Sequence, residues 1–184
     1  MTTIAPVALT GTWVSDPVHS TASFAVKHMI VSTFRAGFRQ IDGRLEVDGD
    51  DIRLTGRVPA ESIDVELDDL RNHLLSPEFF DVANTPDITF VSTAVRRGDG
   101  DGDTIDVDGE LTVKGVTKPV HATGSIVGPA VSFGDAEVVG VELQTTIDKN
   151  DFGLSWNAPL PKGGFAISDK VTLSVHLELR REEA

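Results

Sequence analysis

Cysteine is absent from the 184-residue chain. No disulfide, thiolate metal site or cysteine nucleophile is therefore available. Basic residues are few: 16 Lys and Arg stand against 29 Asp and Glu, a net charge of -13. A surface this acidic repels nucleic-acid phosphates and anionic headgroups, but it does not exclude an apolar ligand held inside. No apolar run reaches the roughly 18 residues of a membrane-spanning helix, so stable membrane insertion is not expected. The opening MTTIAPVALTGTW has no basic n-region and only a broken apolar stretch, unlike a secretory signal, and the expected location is the cytoplasm. P-loop, Rossmann glycine and nucleophile-elbow patterns are missing as well.

What is present is alternation. Hydrophobic residues make up 40% of the chain, enough for a globular core. No Pro/Ser-rich linker divides it and no repeat is evident, so a single domain over 1–184 is expected, with its core over about 11–180. Val171, Leu173, Val175, Leu177 and Leu179 alternate with Thr172, Ser174, His176 and Glu178. The same period of two runs through Val141–Ile147 and Ile52–Val58, and through stretches near 12–16, 20–28, 38–48, 87–96, 104–113 and 119–127. These are half-buried antiparallel strands, eight or nine in all, punctuated by Gly/Asp turns such as VDGD and RGDGDGD. Such a sheet buries its apolar face either as a two-layer sandwich or as a closed barrel. Small residues on the inward rows (Ala22, Gly56, Ala60, Ala94, Gly109, Ala122, Gly124) leave room and lean towards a cavity.

One stretch has another period. In ELDDLRNHLLSPEFFDV, Leu67, Leu70 and Leu74 recur at helical spacing, Asp68 and Asp69 suit a helix start, and Pro77 suits its end. A short helix over about 68–75 is expected, followed by the pair Phe79-Phe80. A second short turn is expected in MIVSTF.

Two apparent metal motifs fail on geometry. His19 and His28 flank a strand but differ by an odd number, so they point to opposite faces with Cα atoms roughly 30 Å apart. By parity His28 joins Ala22, Phe24 and Val26 on the apolar face, while His19 reads as a turn residue. His121 and His176 fall on wet faces, and no histidine pair has metal-site spacing. In DGDGDTIDVDGE, Asp99, Asp101, Asp103 and Glu110 match positions of a calcium loop. Thr104 stands where its sharp turn needs Gly, and the flanks are strands, so a solvated hairpin loop is the better reading.

The segments WVSDPVHSTASFAVKHMIVSTFRAGF, LRNHLLSPEFFDV, PDITFVST, GELTVKGVTKPV and KNDFGL, in this order and spacing, resemble the YceI-like, polyisoprenoid-binding proteins. The resemblance runs from about Trp13 to Leu179. It implies an all-β fold, an eight-stranded antiparallel lipocalin-like barrel with one short helix near a mouth. It also implies a polyprenyl or similar amphiphilic lipid held inside, and a homodimer. Burying each methylene of such a chain is favourable by about 0.8 kcal/mol. Wall candidates are Phe24, Val26, Phe34, Phe38 and Leu54 on the first strands, then Phe90, Leu111, Leu143, Ile147 and Leu173. Leu74, Phe79 and Phe80 would form a lip, and His28, Arg71 and His73 would offer donors to a polar head. No catalytic residue, metal or cofactor is assigned. The alternative is a small-molecule enzyme, which would need a His/carboxylate pair meeting in the barrel. Departures from the family pattern are Lys149, where Arg often precedes NDFG, and a longer Asp/Gly loop near 99–103.

Overall fold

Each strand pairs antiparallel with its neighbours, and the last closes on the first. The computed structural model describes residues 9–98 and 103–182. The strands are β1 (Gly11–Ser15), β2 (Thr21–His28), β3 (Ser32–Phe38), β4 (Asp42–Asp48), β5 (Asp51–Pro59), β6 (Ile63–Asp64), β7 (Asp87–Arg97), β8 (Thr104–Val113), β9 (Val116–Val131), β10 (Glu137–Asp148) and β11 (Ile167–Arg181). One α-helix, α1 (Asp68–Leu75), lies between β6 and β7.

The first six segments are three long strands, each broken once. β2 pairs with β3 and β1 with β4, so β1–β2 and β3–β4 run alongside one another. β3–β4 then pairs with β5 and β6 on its other side. With β7 to β11 this makes a closed barrel of eight staves. The long β11 closes it, meeting β2 along its first part and β1 through Leu179–Arg181.

The breaks adjoin and are bonded to one another. Pro17 cannot donate to the ladder, and the Asp16 carboxylate accepts the N–H groups of Val18 (2.8 Å) and His19 (3.1 Å) instead. Ser15 Oγ donates to the Ile41 carbonyl at 3.1 Å, and the Arg39 N–H donates to the Ser62 carbonyl at 2.8 Å. The wall therefore creases along one line while its backbone groups stay paired. The alternation expected over 38–48 is split by this crease. The expected turn in MIVSTF is limited to residues 29–31, and Ser32–Phe38 continues as a strand.

Two clusters fill the two ends. Trp13, Leu45, Val107, Val139 and Leu179 are virtually inaccessible and form a solid plug at one end. The Arg181 guanidinium caps it, 4.4 Å from the centre of the Trp13 ring. Leu74, Phe80, Phe152 and Leu154 gather with Ala60 and Ile63 at the other end. That end is the mouth, and α1 lies on it at the span expected from sequence. Asp68 and Asp69 occupy the helix's positive first turn. The Phe80 N–H donates to the Leu74 carbonyl at 3.0 Å, folding Phe79-Phe80 back under the helix.

Candidate ligand cavity

The inward row of a strand passes from plug to void along its length. On β10, Val139 and Val141 are buried, whereas Leu143, Thr145 and Ile147 are only half-buried although they face the same way. On β11, Leu179 and Leu177 are buried, while Val175, Leu173 and Val171 are half-buried. The registers Val141↔Leu177 and Leu143↔Val175 put the change at one level on both strands. Inward side chains above that level face empty space rather than one another.

The space is a cavity of about 220 Å³ between the plug and the mouth. By volume it would hold roughly seven waters, yet its wall is almost wholly apolar and offers water few partners. Phe24, Val26, Phe38 and Leu54 line it, as do Phe90, Leu111, Leu143, Ile147 and Leu173. Leu74, Phe79 and Phe80 face it from the mouth. Phe24 meets Phe38 and Phe80 at centroid separations of 6.1 and 6.4 Å, which ties the wall to the lip.

Four residues expected at the site lie outside it. Phe34 packs against Phe24, ring centres 6.0 Å apart, and does not line the void. His28 is on the inward-facing side by parity, but it ends β2 beyond the wall and is exposed. Arg71 Nη2 donates to the Glu61 carbonyl at 2.6 Å. His73 bonds Glu78 at 2.7 Å and packs edge-on against Phe79 and Trp156. Helical spacing placed Arg71 and His73 near the mouth, but these contacts hold them away from the cavity.

The small inward residues divide. Ala22, Gly56 and Ala122 do open onto the void. The room at Gly109 is taken by Phe90, and a Cβ at Gly124 would fall 1.8 Å from the Glu142 carbonyl oxygen, because β10 passes that close. Ala60 is packed into the mouth cluster, and Ala94 does not reach the cavity.

Sequence reading marked Lys149 as a departure from the family pattern but did not assign it to the site. It continues the inward row Leu143, Thr145, Ile147 one step past β10, and parity alone could have found it. Its ammonium is buried and donates to the carbonyls of Leu154 (2.9 Å) and Trp156 (3.2 Å), with Asp169 3.7 Å away. Among the described lining residues it is the one ionisable side chain. It fastens the loop after β10 across the mouth. Ile88, Val113, Val120 and Ile167 also line the wall and were not anticipated, nor were Val58, Val171 and Val175.

Residues 13–179 match the YceI-like domain family. The chain belongs to that family. Similar to this YceI-like domain is a UPF0312 protein of Staphylococcus epidermidis, 29% identical over 170 residues, covering 89% of this chain and 94% of that one. A protein named YceI from Salmonella newport is 30% identical over 142 residues, 74% of this chain and 72% of its own. Two solved structures share the fold. BcnA of Burkholderia cenocepacia has a TM-score of 0.75 at 19% identity, covering 89% and 98% of the two chains. A polyisoprenoid-binding domain from Saccharophagus degradans has a TM-score of 0.68 at 15% identity, covering 94% and 99%.

Outside the cavity of this YceI-like domain, Asp16, His19 and Glu178 bring potential ligand atoms within 4.8 Å of one another. Asp16 already accepts two backbone N–H groups and pairs with Arg180, so the group pins the crease rather than presenting open ligands. Of the calcium-like stretch, residues 99–102 lie outside the described residues. Further on, Asp106 and Asp108 are partnered by His121, and Asp108 also by Arg96.

Proposed function

We propose that the protein binds, without covalent chemistry, a polyisoprenoid or a similar long-chain amphiphilic lipid in the barrel cavity. The observation that carries this reading is the change from buried to half-buried along the inward rows of β10 and β11. An apolar wall that its own side chains leave uncovered is the site a hydrocarbon chain fills, gaining about 0.8 kcal/mol per buried methylene. The fold shared with a domain that binds polyisoprenoids supports the ligand class.

A barrel enzyme would need two titratable groups meeting in the cavity. All five histidines lie off the lining, and Lys149 is alone there among the described residues, so no observation favours that reading.

Organic extraction of the purified protein followed by mass spectrometry tests the proposal. The expected result is release of an apolar or amphiphilic chain. A protein that comes out empty and also takes up no prenyl lipid overturns it.

A further inference from the structure

The tip of the β2–β3 hairpin is apolar and exposed. Ile30 and Val31 are 69% and 86% accessible, with Met29 beside them. The tip packs on the loop before β11. The Met29 N–H donates to the Ala166 carbonyl at 2.8 Å, and Ile30 reaches to about 3.1 Å from where a Cβ on Gly164 would stand. Exposed Phe165 extends the same patch. Behind it His28 pairs with Ile167, and Ile167 lines the cavity, so the patch is continuous with the mouth.

The backbone of this tip runs against local preference. Met29 and Ile30 have φ of 51° and 68°, a left-handed conformation in which a β-branched residue is a genuine outlier. Hairpin turns of this kind normally take Asn or Gly. The chain thus holds bulky apolar side chains in solvent where a small polar pair would relieve both strain and exposure.

Charge is distributed unevenly as well. All six lysines (27, 114, 118, 149, 162 and 170) lie at the mouth end of the barrel. Lys27 and Lys162, beside the patch, make no ion pair among the described residues. The closed end also exposes apolar side chains, Val131 and Phe133, but there Asp135 adjoins, and the cations Arg180 and Arg181 are already paired with Asp16 and Glu137.

We propose that this rim docks on a lipid bilayer, with Met29, Ile30, Val31 and Phe165 entering the interfacial zone and Lys27 and Lys162 meeting lipid phosphates. The inference rests on the cavity being a lipid site, since the bilayer is where such a chain enters and leaves. The overall charge of -13 opposes approach to an anionic surface, but screening limits that repulsion to about 8 Å at physiological salt. At contact the local lysines and the apolar tip prevail. Acidic α1, with Asp68 and Asp69, keeps its part of the rim off such a surface, leaving contact to the hairpin and loop.

Flotation of the full chain with phosphatidylcholine vesicles containing phosphatidylglycerol tests the proposal, with lipid extraction run on the same preparations. The protein is expected to float with the vesicles. Ile30→Asp with Val31→Asp, and separately Phe165→Asp, should each lower the bound fraction about tenfold or more. Phe133→Asp, at the closed end, should leave it unchanged. A protein that stays unbound while extraction shows a filled cavity overturns the docking surface alone. So does a Phe133→Asp loss as large as that of Phe165→Asp. So does a dimer that the rim variants dissolve while flotation is unaffected, which would make the patch a contact between two copies. A protein that is empty and refuses prenyl lipid instead removes the cavity reading on which the proposal stands.

Discussion

The ring of Phe90 lies over Gly109: a β-carbon at residue 109 would stand 2.3 Å from Phe90 Cζ. Phe90 pairs with Leu111 across β7 and β8, and the missing side chain at 109 lets its ring lie along the wall. Gly109→Ala would drive the ring into the cavity and would also press on the Val91 carbonyl, 2.7 Å from the added carbon. The expected outcome is a loss of about 1–3 kcal/mol in thermal or urea unfolding, together with less lipid recovered on extraction.

The boundary between plug and void predicts opposite responses from neighbouring positions on one strand. Val141→Phe overfills a packed region and should cost about 1–3 kcal/mol. Leu143→Phe, one pleat nearer the mouth, projects into open space and should change stability by less than about 1 kcal/mol while reducing lipid uptake. Chemical denaturation and a prenyl-lipid binding assay on both variants check the pair. Equal destabilisation would place side chains where the void is described.

Lys149→Met tests the mouth strap. The Leu154 and Trp156 carbonyls lose their donor, and leaving such groups unsatisfied costs about 1–3 kcal/mol. Faster hydrogen exchange over residues 149–156 should accompany the lower unfolding midpoint, whereas a purely electrostatic role would leave exchange untouched.

Acid sensitivity follows from three carboxylates held below the usual range. Asp16 is lowered first by the Val18 N–H, with the His19 N–H and Arg180 adding to it against the opposing effect of burial. Asp108 is lowered first by its bond with His121 and then by that with Arg96, and Asp148 first by the Asn150 N–H. A carboxyl depressed in the folded state stabilises fully above its unfolded value, about pH 4, and loses that contribution as pH falls through the folded value. The unfolding midpoint should therefore show no loss from these groups between neutral pH and about pH 4 and should fall below that. Asp16→Asn should make the acid limb shallower, as read by circular dichroism across pH.

Much of the barrel was legible locally. The alternation in Val171–Leu179 and Val141–Ile147 marked β11 and β10 and the face of each that turns inward. The spacing of Leu67, Leu70 and Leu74 marked α1. The same parity failed for His28, because it reports a face and not where the wall stops. It failed for Phe34, whose pair partner Val26 lines the void while the Phe34 ring packs against Phe24 instead. Arg71 and His73 were assigned by nearness to the mouth, and the contacts that turn them aside, with Glu61 and with Trp156, join distant parts of the chain or a loop without periodicity.

The sequence by itself determined an antiparallel sheet with one apolar face, since a side-chain period of two is a local property of extended backbone. Whether that face met another side chain or a void was decided only by tertiary structure. Closure of β11 on β1 brings Trp13, Leu45 and Leu179 together at one end, while Gly109, the crease and the Lys149 strap set how much space remains at the other. Packing density depends on which side chains share a level across eight staves, and strand alternation carries no information about level.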